Sequence, residues 1–273
     1  MANGMPDTSG RRVLRILHYL AQHQKPVLAS AIARDCAFPR SSTYRLLHVM
    51  AEERFVTYYP DEGRWGLGLA AYELGTGYLL SDPLARQAAG ILVRLAAETG
   101  AYTAIGVLDG TDVVVSRSQI PEAATAWADV HSGVRYPAQR TAMGRAILLG
   151  RDERELDALY GEHGLAPLEV NGEAGGRELA LQNMMDDLRE AEAVGYTASL
   201  NDLDDGIIGY AAPVRSAVGR VVAALAVGFL EDPPSGAELE RVLAALRAGA
   251  SELSVRLGYR ATDSAHNGTK AGR

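Results

Sequence analysis

The chain has 273 residues, 47% of them hydrophobic and 22% charged, with a net charge of −7; this mixture excludes a disordered or fibrous chain and suits a globular protein of about two domains at roughly 150 residues each. Its one cysteine, Cys36, excludes an internal disulfide and a cysteine-rich zinc site. No apolar run approaches the roughly 20 residues a membrane-spanning helix needs, and the first ten residues lack the apolar core of a secretory leader, so a cytoplasmic protein is expected.

Residues 1–9 read as a disordered arm. Val13, Ile16, Leu17, Leu20 and Ala21 then recur at helical spacing, so Arg11–Gln22 is expected to form a helix with one buried stripe, ended near Pro26. A short helix follows over Ala29–Arg34. After the turn through Phe38 and Pro39, a third helix is expected from Arg40 to about Glu52. Thr43, Leu46, Leu47 and Met50 fall on its inward face, while Arg40, Ser41, Tyr44, Arg45 and His48 point outward, with Ser42 near the edge. Phe55–Tyr59 alternates like a strand, 60–63 is turn chemistry, and Arg64–Leu67 returns as a second strand.

Helix, helix, turn, helix, hairpin is the order of a winged helix-turn-helix over residues 10–68, whose third helix enters the major groove of double-stranded DNA. Arg40 and Arg45 can fork onto guanine or phosphate, the Ser41 and Ser42 hydroxyls can reach phosphates or bases, and Arg64 at the wing tip can neutralise a phosphate. Tyr44 on the same face and Arg11 at the start of the first helix complete the expected contact set. A solvated helix face is the alternative for any one of these residues. Residues 1–75 carry net +2 and the remainder −9, an asymmetry that fits a head that meets a polyanion and a body that stays off it.

Residues 69–81 read as an apolar linker helix, with Leu69, Tyr72, Leu74, Tyr78, Leu79 and Leu80 too hydrophobic for a floppy tether. Tyr72, Tyr78, Leu79 and Leu80 offer more apolar surface than a lone connector buries, so self-association is expected. The body spans 82–260. Asp82-Pro83 opens a helix that Gly100 stops, and strands are expected at Tyr102–Leu108 and Asp112–Arg117 through an Asp109-Gly110 turn. Further strands fall at Ala124–His131, Tyr196–Leu200, Ile207–Val214 and Val221–Leu230, with helices at Thr141–Leu149, Arg154–Tyr160, Gly176–Val194 and Ser235–Leu257. The fold class is therefore α+β, a mainly antiparallel sheet flanked by helices, followed by a disordered tail over 261–273.

The body carries no G-x-S-x-G elbow, no phosphate loop and no H-E-x-x-H, and its histidines show no metal-ligand spacing; no enzyme chemistry, cofactor or metal is expected. Asn201–Gly206 is only superficially similar to a calcium loop, because Leu203 stands where an oxygen ligand is needed and Ala212 where a glutamate is needed. A solvated loop is the plainer reading.

Together these residues resemble the IclR family of bacterial transcriptional regulators over roughly Arg11–Gly258. The resemblance rests on Phe38-Pro39-Arg40-Ser41-Ser42-Thr43-Tyr44-Arg45-Leu46-Leu47 and Gly63-Arg64-Trp65-Gly66-Leu67-Gly68 in the head. In the body it rests on Ala96–Gly100, on Pro137–Ala146 with its Thr141-Ala142-Met143-Gly144-Arg145-Ala146 core, and on Gly206 with Ala211-Ala212-Pro213-Val214. It implies a winged helix-turn-helix, a linker helix and a GAF-like effector domain that binds a small metabolite. It also implies homodimers or dimers of dimers on roughly palindromic operators, and a repressor of a catabolic operon is expected. The effector pocket it implies is lined by Thr125, Trp127, Asp129, Tyr136, Ala142, Met143, Ser199, Ile207, Gly209, Ala226 and Gly228. Relatives that bind small organic acids usually place an acidic residue, a small polar residue and serines where this chain has Ser199, Gly209, Ala226 and Gly228. The polar anchors for a bare acid such as glyoxylate are thus depleted, and a small aromatic or amide-like effector is expected, held by Ser199 and the backbone N–H groups of Ala142 and Met143. An enzyme or a protein-interaction module on a GAF-like domain is the alternative function.

Overall fold

In the computed structural model, which describes residues 8–23, 25–121, 131–161, 169–170, 173–174, 177–200, 207–230 and 233–260, the chain divides into two units, Met1–Ser81 and Asp82–Arg273. The first unit begins with α1 (Ser9–Ala21), capped by the Thr8 hydroxyl, which accepts from the Arg11 amide at 3.4 Å. It continues with β1 (Val27–Leu28), α2 (Ala29–Asp35), α3 (Arg40–Glu52), β2 (Val56–Tyr59), β3 (Arg64–Leu67) and α4 (Leu69–Ser81). Ile16, Leu20, Ile32, Leu47, Met50 and Trp65 close its core. The wing has three strands, ordered β1-β3-β2, where a two-stranded hairpin was expected. Two residues, Val27 opposite Trp65 and Leu28 opposite Arg64, are too few to show an alternating pattern in sequence.

The second unit runs α5 (Pro83–Thr99), β4 (Tyr102–Asp109), β5 (Asp112–Gln119), β6 (Arg135–Pro137), a 3₁₀ turn (Ala138–Arg140), α6 (Ala142–Leu148) and α7 (Glu153–Tyr160). There follow β7 (Glu169–Val170), β8 (Glu173–Ala174), α8 (Arg177–Val194), β9 (Thr197–Leu200), β10 (Ile207–Arg215), β11 (Val221–Leu230) and α9 (Gly236–Arg256). Asp82 caps α5 through the Leu84 amide at 3.0 Å, and Gly100, at φ +66°, ends it in the left-handed conformation that glycine adopts without strain. Six strands form one antiparallel sheet in the order β6-β5-β4-β11-β10-β9. Sequence neighbours pair as expected on either side, but the central pair, β4 with β11, joins the two ends of the body. The short β6 was not foreseen, whereas the strand expected at Ala124–His131 and the loop at Asn201–Gly206 lie outside the described residues, as do 1–7 and 261–273; His131 itself is described and is not in a strand.

One face of this sheet buries Ile105, Leu225 and Val214 against Ile91, Leu92 and Leu95 of α5 and Leu243, Leu246 and Leu253 of α9. The other face carries Ala104, Ala211, Ala224 and Ala226, small enough for α6 to lie close on the strands. A Cβ at Gly144 of α6 would stand 2.5 Å from the Ala138 carbonyl carbon, so the 3₁₀ turn and α6 pack backbone to backbone. A pocket forms on this second face.

Candidate DNA-binding face and effector cavity

The orientation of α3 follows from its buried stripe. Thr43, Leu46, Leu47 and Met50 are buried, so Arg40, Ser41, Tyr44, Arg45 and His48 are exposed, with Ser42 half-buried at the edge. The turn ahead of α3 is pinned from α1: the Arg15 guanidinium donates to the Cys36 carbonyl at 3.0 Å and lies 4.8 Å from the Phe38 ring centre. Arg15 is thereby committed to structure. The Arg40 and Arg45 side chains, by contrast, make no ion pair or hydrogen bond among the described residues, which leaves both guanidinium forks available to an external acceptor. Arg11 is exposed in the first turn of α1.

Arg64 stands where expected, directly after the wing turn, but its side chain is already engaged. It is the first residue of β3, paired with Leu28 on one side and Tyr59 on the other, and its guanidinium donates to the Pro26 carbonyl at 3.0 Å and sits 3.8 Å from the Glu62 carboxylate. The turn itself presents Asp61 and Glu62, both exposed. Acidic side chains there oppose close approach to phosphate, so Arg64 offers less positive potential than its sequence position suggests.

In the body, antiparallel register sets Ser199, Gly209, Gly228 and Tyr102 side by side across β9, β10, β11 and β4. Two glycines in the middle of that row leave bare backbone between a serine hydroxyl and a tyrosine ring. Above this floor lies a cavity of about 90 Å³ bordered by α6, against roughly 10–15 Å³ for one water on that measure, so the space suits one small ring. Of the eleven residues expected there, the structure brings eight together: Tyr136, Ala142, Met143, Ser199, Ile207, Gly209, Ala226 and Gly228. Thr125, Trp127 and Asp129 lie outside the described residues.

Five lining residues escaped the sequence reading: Tyr102, Val113, Val115, Thr141 and Val227. Their signal is register, not composition, since each is placed by a cross-strand neighbour or by the helix cap.

No lining residue among those described carries a formal charge. Burial pushes the Tyr102 hydroxyl up to about 12, so it stays neutral at physiological pH. Several other polar groups in the wall or behind it are already engaged. Thr141 Oγ1 accepts from the Gly144 amide at 3.0 Å, Thr197 Oγ1 donates to the Ala142 carbonyl at 2.6 Å, and the Arg145 guanidinium donates to the Ala198 carbonyl. The Ser199 hydroxyl reaches the Arg140 carbonyl only at 3.5 Å, a long bond that a ligand can replace. Among the described residues no cluster of three or more metal-ligating side chains exists.

A helix-turn-helix face on one unit and, on the other, a cavity with no charged lining among the described residues define a DNA-binding regulator that senses a small molecule. Residues 76–255 match the family model for the bacterial transcriptional regulator IclR C-terminal domain, and residues 11–60 match the IclR helix-turn-helix domain. The chain belongs to the IclR family of bacterial transcriptional regulators, with a DNA-binding helix-turn-helix and an effector-binding C-terminal domain. It is 26% identical over 255 residues to the HTH-type transcriptional regulator XynR of Escherichia coli K12, covering 92% of this chain and 97% of that protein. It is also 25% identical over 217 residues to the HTH-type transcriptional repressor AllR of the same strain, covering 79% and 78%. Among solved structures, an IclR homolog from Microbacterium hydrocarbonoxydans complexed with 4-hydroxybenzoate superposes with a TM-score of 0.72 at 21% identity, covering 92% of this chain and 99% of that one. The first two relatives are regulators of transcription, and the likeness to the last shows the shared fold.

Proposed function

We propose that this protein is a cytoplasmic repressor of a catabolic operon, released from its operator by a small, single-ring aromatic metabolite. The observation that carries the reading is the cavity over Gly209 and Gly228, walled by Tyr102, Tyr136, Met143 and valines with no charged side chain among the described residues. Apolar and aromatic walls select a ring by shape and burial, and a single polar substituent finds Ser199 and the tyrosine hydroxyls. A bare two-carbon acid would lose its hydration without gaining a counter-charge. The 4-hydroxybenzoate held by the Microbacterium homolog and the repressor among the relatives support the same reading.

On the head, α3 is the reading helix. Arg45 and Arg40 contact bases or phosphates, Ser41, Ser42 and Tyr44 supply shorter contacts, and Arg11 and Arg64 add charge toward the DNA backbone. A head of this size covers one half-site, so a homodimer on a roughly palindromic operator follows.

Two measurements test the proposal. A thermal-shift panel of 4-hydroxybenzoate, benzoate, phenol and glyoxylate should raise Tm with the aromatic compounds and not with glyoxylate, since saturation at about a hundred times Kd adds roughly 2.7 kcal/mol; stabilisation by glyoxylate alone would reject the aromatic effector. In a gel-shift titration, Arg40→Ala with Arg45→Ala should abolish operator binding. Parent-like affinity would remove α3 from the interface.

A further inference from the structure

Gly106 lies inside β4, next to the cavity but not in its wall. Interior strand glycines weaken a sheet and persist where a bulge or a close approach requires them. Both conditions meet here. The β4–β5 register shifts between Ile105 and Gly106, so that Ile105 faces Arg117 and Gly106 faces Val115, leaving Ser116 as the extra residue of a bulge. Gly106 does not adopt a left-handed φ, so its backbone is open to any residue and only space demands glycine. A Cβ there would stand 2.8 Å from Val113 Cγ2 and 3.2 Å from Met143 Cγ, and closer still to Met143 Sδ. Both neighbours are cavity walls.

Resting on the effector reading above, we propose that Gly106 is a specificity-determining residue: its missing Cβ is the notch that stows the Met143 thioether, which keeps the cavity open to a single-ring aromatic ligand and closed to a fused two-ring one. Met143 enters from α6 and packs between the Ala142/Ala226 cluster and the Tyr102/Val115 cluster. Behind it lies strand backbone and in front lies the cavity. A methyl group at position 106 therefore drives the flexible thioether forward into the ligand space. In the stowed position the sulfur forms one wall, where it makes the sulfur–aromatic contact that favours a ring over an aliphatic chain of equal size. Gly209 shows the contrast. A Cβ there would meet Ala142 Cβ at 3.7 Å and the Val227 carbonyl oxygen at 3.8 Å, ordinary contacts, so its space is spare while that of Gly106 is filled.

The test uses the full-length parent, Gly106→Ala, Met143→Ala and the double variant. Xenon occupancy in pressurised crystals reports the cavity without any effector, and calorimetry compares 4-hydroxybenzoate with 6-hydroxy-2-naphthoate. Gly106→Ala should lose xenon from the cavity and bind 4-hydroxybenzoate at least about tenfold more weakly, in line with the usual cost of overpacking. The double variant should recover both, and Met143→Ala should gain xenon occupancy and accept the naphthoate that the parent rejects. Unchanged xenon in folded Gly106→Ala, or no recovery in the folded double variant, overturns the proposal. If Gly106→Ala fails to fold, Met143→Ala decides: unaltered occupancy overturns it and enlarged occupancy supports it. A parent that takes up xenon but binds no aromatic compound sinks the aromatic-effector reading, while the xenon comparison still judges the notch.

Discussion

Burial holds the hydroxyls of Tyr102 and Tyr160 up to about 12, whereas an unfolded tyrosine ionises near 10. Each folded value is raised, so the associated stability is fully present below pH 10 and is lost as pH climbs through about 12. An alkaline titration should therefore show these two tyrosinate signals emerging together with unfolding, not ahead of it; early ionisation in a folded protein would contradict their burial. Met143 supports a second expectation at this scale. Met143→Trp should fill the cavity and abolish effector binding in calorimetry while operator affinity stays at the parent value. Of the individual candidate site residues, the exposure of those that present themselves to solvent on a helix, such as Arg40 and Arg45, was legible in sequence because helical spacing sorts inside from outside. Tyr102 and Gly106 were not. They sit in a strand buried on both faces from Tyr102 to Gly106, where the alternation that marks a surface strand is absent.

Helices α3 and α6 show what local sequence fixes and what it leaves to packing. The span of α3 matches expectation at both ends because Pro39 opens it and its apolar stripe is unbroken to Met50. Thr141, expected as the first residue of a helix, is instead the cap of α6, its hydroxyl accepting from the Gly144 amide. What spacing does not reveal is that α6 rests on a floor of alanines and glycines contributed by β4, β10 and β11. That floor exists only once β4 pairs with β11, and the contact joins residues more than a hundred positions apart. Gly144→Ala should consequently destabilise the body by about 1–3 kcal/mol in denaturant melts, the usual cost of forcing an atom into a packed contact; a neutral result would mean that the 3₁₀ turn yields. On α3, Arg45→Ala should cost on the order of 1–3 kcal/mol and relax preference at one operator position, whereas Arg64→Ala should weaken all sequences alike and only slightly. Competition binding across a set of single-base operator variants separates the two outcomes.

For the molecule as a whole, α4 is the least self-sufficient element. Tyr72, Leu74 and Tyr78 are 71%, 63% and 57% exposed, an apolar surface that isolated monomers rarely leave to water. Sedimentation should therefore find a dimer or larger at micromolar concentration, and Tyr72→Glu with Tyr78→Glu should shift it toward monomer and weaken operator binding by removing the second half-site contact. A parent that sediments as a monomer would refute this. The bare floor at Gly209 and Gly228 has a different reach. Because main chain, not side chain, floors the cavity there, and because position 209 has room for a Cβ, exchange of Gly209 for serine or alanine should, on the proposed effector reading, change what the sensor answers to without touching the head. That makes the protein a ready chassis for evolving reporters: diversity concentrated at one position should yield new inducers while the promoter it controls stays the same.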